Sequence, residues 1–374
     1  MAAIPYNELG PEKILHVYDP ATGMKGFVVV DNTKLGPGKG GIRMTPDVTV
    51  EEVSHLARAM TLKNAIAGLP FGGAKSGIVA DSKKLSKEQK EAIVKAFAKA
   101  IAPVCPEYYV AGPDMYMAEG EMELIAKTLN NFNACTGKPA SLCNGYVCGI
   151  PHELGSTGYG VFAATKVAFA HLEKSLVGAK FIVEGFGNVG WFVSKFLTEI
   201  GAVLVGVSDS HGAIYNNNGI NFQELDDVKK NKGSVIHYNN AQKVNQKELI
   251  FMDCDLLIPA AKPYVITAEN YLRIKAKVIV EGSNLPITED AQEKVHELGI
   301  LVIPDFIANA GGVISSYVEY VGGTADEVFP TVEKRISTNT QLILEKADKE
   351  NISTRKAAIA LAIERVKGGK RFGS

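Results

Sequence analysis

Residues 36–77 read GPGKGGIRMTPDVTVEEVSHLARAMTLKNAIAGLPFGGAKSG and contain three lysines in settings where lysine is a poor structural choice. Lys39 lies within the run GPGKGG, and Lys75 lies within a second glycine-rich run, GGAKSG. We expect both runs to form loops, because glycine lets the backbone, and a lysine carried on it, approach a small ligand closely. These two lysines are therefore candidates for ligand binding.

The segment between the two runs has the pattern of an amphipathic helix. Thr49 and Glu52 form the S/T-x-x-E capping pattern that begins helices. Lys63 lies on the stripe that follows, where it must find an anion or lose its proton, because burying an unpaired charge is costly. The other positions on the stripe are Val53, Leu56, Ala57, Met60, Asn64 and Ala67. The three lysines indicate a pocket for a small acidic molecule. The alternative is that Lys63 extends its ammonium to solvent and that the others are loop charges.

A glycine motif later in the chain is typical of a dinucleotide-binding domain. Gly185, Gly187 and Gly190 form G-x-G-x-x-G after an apolar strand and at the start of a helix predicted for residues 188–200. The glycines permit a tight turn, admit a pyrophosphate and let the helix pack closely on the strand. The phosphates then meet free N–H groups at the helix N-terminus. The alternative is a structural glycine turn in another α/β fold.

Asp209 ends the next predicted strand and suggests a cofactor preference. A carboxylate at this place accepts from the adenosine 2′-hydroxyl and repels a 2′-phosphate, which favours NAD. Ser210, His211 and nearby lysines are able to accommodate the phosphate, so NADP stays open. Further apolar runs alternate with helices towards the C-terminus, which argues for a parallel sheet.

Two further features carry possible chemistry. Asp114 lies just beyond a predicted strand that ends in a Gly-Pro break, where an aspartate often only forms a turn or caps a helix. Cys143 and Cys148, with His152 four residues later, supply part of a zinc-site spacing, but no fourth ligand is evident. We expect free thiols in this loop, with no metal, and a regulatory disulfide is the alternative.

The composition excludes several classes of protein. The chain has 46% hydrophobic and 22% charged residues over 374 positions, as expected for a globular protein of about two domains. A formal net charge of −1 gives no electrostatic case for nucleic acid or an anionic membrane. We see no bilayer-spanning run, no signal-peptide layout and no regular cysteine framework. We therefore expect a cytoplasmic protein.

The chain resembles the glutamate/leucine/phenylalanine/valine dehydrogenase superfamily over nearly its whole length. The resemblance rests on LGPGKGGIRMTPDV, LPFGGAKSG, the G-x-G-x-x-G turn and PDFIANAGGVISSY, which occur in the family's order. Members oxidatively deaminate an L-amino acid to a 2-oxo acid and ammonia with NAD or NADP. The resemblance implies an α/β fold of two domains with a cleft between them. Residues 1–158, completed by C-terminal helices within 312–374, would bind substrate and form the oligomer. Residues 159–311 would form a Rossmann-type, doubly wound NAD(P)-binding domain.

The resemblance also implies roles for individual residues. Lys75 would be the catalytic lysine, with Asp114 as its acid/base partner. Lys63 would bind the substrate α-carboxylate, and Lys39 the side-chain carboxylate. The residues implied to line the side-chain pocket, three apart on one helix face, are Val313 and Ser316. The residues implied to bind the cofactor are Thr157, Gly185, Gly187, Asn188, Val189, Gly190, Asp209, Ala260, Asn284 and Asn309.

Lys39 and Ser316 favour the glutamate branch, because a buried lysine facing an apolar substrate side chain would be unpaired. L-Glutamate is therefore the expected substrate, and a homo-oligomer, commonly a hexamer in that branch, is the expected assembly. One alternative is a leucine, valine or phenylalanine dehydrogenase, since YDPATGMKGFVVVDNTKLGP resembles the leucine branch. Another is a non-catalytic nucleotide-binding member, since the cysteine loop is longer than usual and MYMAEG after Asp114 departs from the family pattern.

Secondary structure is also predicted at the two ends of the chain. Residues 1–35 are predicted to form a short helix followed by a strand over 26–31. Helices are predicted over about 325–349 and 352–367, packed on the first domain.

Overall fold

The computed structural model describes residues 3–151 and 154–369, and these divide into two compact units. Unit 1 comprises the described residues up to Leu154, Val313–Val328 and those from Leu361 onward, and unit 2 comprises Gly155–Gly312 and Phe329–Ala360. Each unit contains its own sheet and helices, in agreement with the predicted α/β class.

A five-stranded mixed sheet forms the centre of unit 1. Its strands are β1 (Lys13–Asp19), β2 (Met24–Asn32), β3 (Gly38–Thr45), β4 (Gly72–Val79) and β5 (Tyr109–Gly112). Their order is β1-β2-β4-β3-β5, with β3 parallel to β4 and β5 and the other pairs antiparallel. Strands β3 and β4 are almost entirely buried. This burial explains why they lack the alternation of a half-exposed strand.

Three helices flank this sheet. They are α1 (Val50–Ile66), α2 (Lys87–Ile101) and α3 (Glu119–Leu129). As predicted, Thr49 caps α1 by accepting from the Glu52 N–H at 3.2 Å, and a capping box begins α2. Side chains of α2, α3 and the strands form the core, which includes Val28, Ile42, Phe97, Tyr109 and Met122.

The two glycine-rich runs form strands, so the prediction of loops is wrong. Lys39 lies in β3 and Lys75 in β4. A Cβ on Gly40 would lie 1.7 Å from a carbonyl oxygen of β4, and one on Gly73 would lie 2.1 Å from Thr61 Oγ1 of α1. These glycines therefore serve the close approach of neighbouring elements rather than a turn.

The predicted N-terminal helix is also wrong for the described residues. The first regular element is β1, which pairs antiparallel with β2, Lys13 opposite Val30. Half-buried and exposed residues alternate along the second half of β1, as in an edge strand with one solvent face. A carboxylate oxygen of Asp19 accepts from the Thr22 N–H at 2.8 Å and orders the turn between the two strands.

A seven-stranded sheet forms the centre of unit 2. Its strands are β8 (Lys180–Glu184), β9 (Val203–Asp209), β10 (Gly212–Tyr215), β11 (Gln242–Val244), β12 (Leu256–Pro259), β13 (Val278–Val280) and β14 (Leu301–Ile303). In the order β11-β10-β9-β8-β12-β13-β14, the five strands from β9 to β14 are parallel, as predicted, and β10 and β11 add an antiparallel edge. In the sheet, β9 lies on one side of β8 and β12 lies on its other side, so the strand order changes direction at β8. This switch point is where doubly wound sheets bind ligands.

Besides several 3-10 helices, the described residues contain two further short strands and eight further α-helices. The strands are β6 (Cys143–Asn144) and β7 (Val147–Cys148), and the helices are α4 (Ser156–His171), α5 (Asn188–Glu199), α6 (Phe222–Lys232), α7 (Glu289–Glu297), α8 (Asp305–Ala308), α9 (Gly311–Tyr320), α10 (Val328–Glu350) and α11 (Thr354–Gly368). In residues 3–151 and 154–369, no helix is both long and apolar enough to cross a bilayer.

The C-terminal helices correct the predicted domain boundaries. Residues 312–374 were expected to complete the first domain, but Phe329–Ala360, which holds most of α10 and the start of α11, belongs to unit 2. The Phe329 ring stacks on that of Tyr159 in α4 at 4.5 Å, and Lys166 of α4 pairs with Glu333 at 2.7 Å. These aromatic and ionic contacts hold α10 on the second unit.

Candidate active site

The central strands of unit 1 place several cations on one face of the sheet. Lys39 and Arg43, four residues apart in β3, point to the same face, because side chains alternate along a strand. The register pairs Lys39 with Gly73 of β4, so Lys75, two residues further, is on this face as well. The neighbouring positions on the same face are Gly41, Gly73, Gly77 and Gly112. A Cβ at these glycines would lie 2.1–2.8 Å from a neighbouring atom, so they let other elements and the Lys39 ammonium approach this face closely.

Asp114, two residues beyond β5, joins two of these cations. Lys75 Nζ lies 3.1 Å from Asp114 Oδ2, and Arg43 Nε lies 3.0 Å from the same oxygen. Burial lowers the pKa of Lys75, the charge of Asp114 opposes this shift, and the charge of Arg43 adds to it. A lysine with a lowered pKa beside a carboxylate is suited to proton transfer.

Arg43 is a residue of this cluster that sequence reasoning missed. Its side chain contacts both Asp114 and Glu52 of α1. The signal that could have found it is its spacing of four from Lys39, which has meaning only if the run GKGGIR is a strand. Reading that run as a loop removes the alternation and hides the arginine.

Lys39 is almost completely buried, with 3% of its surface exposed. Its Nζ donates a hydrogen bond of 2.8 Å to the Ala111 carbonyl oxygen. Burial lowers the pKa of Lys39 to about 7. A Cβ on Gly112 would lie 2.5 Å from Lys39 Nζ, so that glycine is needed for the ammonium to fit. The free-energy cost of burying the Lys39 charge is therefore only partly compensated within the protein. A bound anion would compensate it further by supplying an opposite charge.

Three further predicted substrate residues also lie in unit 1. Lys63 is half-buried on α1, and α1 packs on the face of the sheet that carries Lys75. Val313 and Ser316 are half-buried on α9, whereas Ile314 of the same helix is fully buried. The predicted substrate residues and the pair Lys75–Asp114 therefore all belong to one unit.

A buried ion pair fastens α9 to the segment between α3 and β6. Lys138 Nζ lies 2.5 Å from Glu319 Oε1 of α9, and both side chains are at most 1% exposed. Glu319 Oε2 also accepts from the Gly137 N–H at 2.7 Å. Lys138 stands 3.9 Å over the Phe132 ring. This pair, which sequence reasoning did not single out, positions the helix that carries Val313 and Ser316.

The glycine motif of unit 2 has the geometry of a phosphate cradle. A Cβ on Gly190 would lie 1.8 Å from the Gly185 carbonyl oxygen, which explains the tight packing of α5 on β8. A Cβ on Gly187 would meet no atom within 4 Å, so space is open above this turn. No side chain caps α5, whose N-cap is Gly187. Its first N–H groups, from Asn188 and Val189, are suited to a pyrophosphate.

The other predicted cofactor residues lie at the same end of the unit 2 sheet or near it. Asn309 is buried, and its Nδ2 donates to Asn284 Oδ1 at 3.0 Å. Ala260 follows β12, and a Cβ on Gly282 would lie 3.2 Å from the Ala260 methyl group. Thr157 is half-buried in the first turn of α4.

Asp209 ends β9, as predicted, but its carboxylate is engaged within the protein. It is 6% exposed and pairs with Lys229 of α6 at 2.6 Å. A preference for NAD requires that this carboxylate be directed at the ribose. The structure instead directs it at its own loop and helix.

Cys143 and Cys148 form a disulfide across the β6–β7 hairpin, so the expectation of free thiols is wrong. Cross-strand pairing places the two residues directly opposite one another, which brings the sulfurs together. Two sulfurs bonded to each other do not act as thiolate zinc ligands. His152 of the considered zinc spacing lies outside the described residues. The part of the chain that the structure describes holds no group of three His, Cys, Asp or Glu residues placed to bind a metal.

Two family models match the chain. The model of the glutamate/leucine/phenylalanine/valine dehydrogenases matches residues 148–371, more than half of the chain. The model of the Glu/Leu/Phe/Val dehydrogenase dimerisation domain matches residues 11–131. Together the two matches include both units.

Individual relatives match over most of their length. The chain is 37% identical to the NADP-specific glutamate dehydrogenase of Saccharolobus shibatae, over 95% of this chain and 88% of the relative. It is 34% identical to the NAD-specific glutamate dehydrogenase of Staphylococcus aureus, over 93% and 86%. The hetero-hexameric glutamate dehydrogenase of Thermus thermophilus has a similar fold, with a TM-score of 0.84, 27% identity and coverage of 95% and 88%.

Proposed function

The chain belongs to the glutamate/leucine/phenylalanine/valine dehydrogenase family, and we propose that it catalyses the NAD(P)-dependent oxidative deamination of L-glutamate to 2-oxoglutarate and ammonia, and the reverse reaction. The observation that carries the choice of glutamate is Lys39, an almost completely buried lysine whose ammonium donates to a backbone carbonyl oxygen. The free-energy cost of burying the Lys39 charge is offset when a substrate carboxylate pairs with it. The names of the relatives support the same choice.

We assign the substrate contacts to unit 1. Lys39 binds the side-chain carboxylate, and Lys63 on α1 binds the α-carboxylate. Ser316 offers a hydroxyl to the side-chain carboxylate, and Val313 packs against the aliphatic part of the side chain. Lysine suits both carboxylate contacts because its ammonium is a compact point charge with three donors.

Lys75 and Asp114 are the proposed proton-transfer pair. Lys75, whose pKa is lowered by burial, takes a proton from the water that adds to the iminium carbon. Asp114, 3.1 Å from Lys75 Nζ, carries protons to and from the substrate nitrogen. Arg43, on the same oxygen of Asp114, holds that carboxylate in place. These residues transfer, or position the groups that transfer, the protons of the carbonyl, the water and the amine.

The cofactor fits unit 2. The open turn at Gly187 and the uncapped N-terminus of α5 accept the pyrophosphate of NAD or NADP. A bound NAD or NADP would supply the acceptor for the hydride of the substrate Cα. Asn284 and Asn309, which hydrogen-bond each other, and Ala260 and Thr157 are the proposed neighbours of the nicotinamide half.

We also propose a homo-hexamer in the cytoplasm. The hexameric structural relative and the dimerisation-domain model support the oligomer. The cytoplasm supplies the cofactor, 2-oxo acid and ammonia that the reaction uses.

Oxidation of NADH and NADPH in the presence of ammonia tests the activity. The 2-oxo acids to compare are 2-oxoglutarate, 4-methyl-2-oxopentanoate, 3-methyl-2-oxobutanoate and phenylpyruvate. We expect 2-oxoglutarate to have the highest kcat/KM. In Lys39→Leu this value should fall at least about thirtyfold, since a buried charge partner is lost.

Lys25→Leu, which changes an exposed lysine of β2, is the matched control and should leave turnover unchanged. Preference of the wild type for a branched or aromatic 2-oxo acid would contradict glutamate as the substrate. Absence of turnover with every 2-oxo acid would contradict the enzyme assignment.

A further inference from the structure

The carboxylate of Asp209 has no acceptor position left for a ribose. Oδ1 accepts from the His211 N–H at 2.9 Å and from Ser234 Oγ at 3.0 Å. Oδ2 accepts from Lys229 Nζ at 2.6 Å and from the Val235 N–H at 2.9 Å. A carboxylate offers about four lone-pair positions, so these four donors saturate it. A ribose hydroxyl would have to displace one of them.

The charge of Asp209 is neutralised as well as buried. Burial by itself would raise the pKa of Asp209, but the hydrogen bonds from Lys229, Val235 and other donors lower it to about 2. The carboxylate therefore stays ionised and paired with the Lys229 ammonium at neutral pH. Lys229 also donates to the Gly233 carbonyl oxygen at 3.0 Å, which holds its side chain at the C-terminal end of α6. An ion pair repels a phosphate far less than an unpaired carboxylate does.

The groups left exposed at this turn are hydrogen-bond donors. Ser210 and His211 are both exposed, and Ser210 Oγ lies 3.1 Å from His211 Nδ1. They follow Asp209 directly, at the end of the second strand of the dinucleotide fold, where the adenosine ribose binds. A hydroxyl and an imidazole are able to donate to a 2′-phosphate.

We propose that Lys229 determines the cofactor selectivity of this chain: by occupying Asp209 it removes the acidic barrier to a 2′-phosphate, so that the site binds NADP as well as NAD. Asp209 then acts as a positioning residue that shapes the Ser210-His211 turn, not as a ribose ligand. This inference rests on the proposed function only in requiring that unit 2 binds NAD(P). It removes the preference for NAD that the sequence alone suggests.

Direct binding of NAD⁺ and NADP⁺ to the full-length chain, measured by calorimetry, tests the proposal without turnover. The wild type should bind the two cofactors with Kd values within about tenfold of each other. Lys229→Met leaves the Asp209 charge unpaired. It should weaken the binding of NADP⁺ relative to that of NAD⁺ by at least about tenfold. Lys229→Arg keeps the charge and should behave as the wild type.

The matched control is Lys230→Met. Lys230 is the next residue of α6 and pairs with a different acid, Asp226, at 2.7 Å. This change also removes one positive charge from the helix, but it leaves Asp209 paired. The ratio of the two Kd values should not change. An equal effect of Lys229→Met and Lys230→Met would mean that only the net charge of α6 matters, and it would overturn the proposal.

The double variant Lys229→Met/Asp209→Asn separates neutralisation from direct phosphate contact. If Lys229 acts by neutralising Asp209, removing both charges restores the wild-type ratio of Kd values. If the binding of NADP⁺ stays weakened in the double variant, Lys229 contacts the phosphate itself, and the proposal is wrong. If Lys229→Met binds both cofactors as the wild type does, the proposal is also wrong, provided thermal unfolding shows a folded protein.

The single variant Asp209→Asn examines the ribose role. The proposal expects NAD⁺ to bind about as it does to the wild type and NADP⁺ to bind more tightly, because the Lys229 ammonium is left unpaired, whereas loss of a ribose ligand would weaken the binding of NAD⁺. Ser210→Ala should weaken the binding of NADP⁺ and leave the binding of NAD⁺ unchanged. Cofactor binding that follows these rules without any deamination would refute the proposed function and leave this inference standing.

Discussion

At the scale of the residue, the proposed site depends on the charge of Lys39, which the fold shields from water. Lys39 is buried, donates to one backbone carbonyl, and has a pKa lowered to about 7 by that burial. Its neighbour Gly112 leaves room for the ammonium. Binding of a dicarboxylate therefore depends on the protonation of Lys39 in the free protein.

The affinity for 2-oxoglutarate should depend on pH through Lys39. The ammonium form predominates below about pH 7 and is lost as the pH rises above that value. We expect KM for 2-oxoglutarate to rise by up to about tenfold per pH unit above pH 7. Steady-state kinetics from pH 6.5 to 8.5 provides the measurement. 2-Oxobutanoate, which has no second carboxylate, is the control, and an equal rise for both acids would exclude Lys39 as the cause.

Arg43 should shift the pH profile of deamination. The proposed mechanism requires neutral Lys75, so the activity should increase as the pH rises through the Lys75 pKa. The charge of Arg43 helps to lower that pKa, and Arg43→Gln removes this contribution. The ascending limb of kcat against pH should therefore move to higher pH in Arg43→Gln, but not in Arg43→Lys, which keeps a charge. An unshifted limb in Arg43→Gln would show that Arg43 has only a structural role.

At the scale of the element, close contact between β4 and α1 brings Lys75 and Lys63 to the same region of unit 1. The contact depends on Gly73, because a Cβ there would lie 2.1 Å from Thr61 Oγ1 and 2.2 Å from the Thr61 nitrogen. A backbone atom does not move aside as a flexible side chain does. Any residue larger than glycine must therefore displace α1.

Gly73→Ala should lower the free energy of unfolding by about 1–3 kcal/mol, as overpacking does. It should also raise KM for the substrate, because the helix that carries Lys63 moves. Urea unfolding and steady-state kinetics test the two effects. Gly120→Ala is the control, since its added Cβ meets no atom within 4 Å. That change in α3 should be neutral or stabilise by up to about 1 kcal/mol.

Lys138→Met should destabilise unit 1 by leaving Glu319 buried without its cation. Removing one partner of a buried pair costs about 3–5 kcal/mol. The double variant Lys138→Met/Glu319→Gln should recover part of this loss, because no uncompensated charge remains. The midpoint of urea unfolding measures both variants. Equal stability of the single and double variants would show that the unpaired charge of Glu319 is not what destabilises Lys138→Met.

At the scale of the whole molecule, the chain divides its chemistry between two units. The predicted substrate and proton-transfer residues belong to unit 1, and the dinucleotide cradle belongs to unit 2. Helix α9 belongs to unit 1 except for its first two residues, and α10 belongs to unit 2 except for Val328. In the described residues the chain therefore crosses between the units four times, after residues 154, 312, 328 and 360, whereas the predicted division into 1–158, 159–311 and 312–374 gives two crossings.

The assembly is expected to be a homo-hexamer. Light scattering coupled to size-exclusion chromatography should give six times the mass of one chain. Lys39→Leu should give the same mass, because Lys39 is buried within unit 1. A monomer at micromolar concentration would contradict the proposed assembly.

The sequence by itself determined the elements whose signals are local. The capping residue Thr49 predicted where α1 begins, and G-x-G-x-x-G predicted the turn between β8 and α5. Such signals work because caps and glycine turns involve hydrogen bonds and backbone angles within a few residues. The lysines were also identified from the sequence, because charged residues on an apolar stripe or among glycines are conspicuous.

Only the tertiary structure decided what those residues contact. The glycine runs around Lys39 and Lys75 became buried strands, because their glycines accommodate neighbouring backbone that no local pattern reveals. Arg43 joined the site through strand register, and Asp209 was engaged by Lys229, 20 residues further along the chain. Partners distant in sequence set burial, pairing and pKa, and those quantities determine what each charge is able to do.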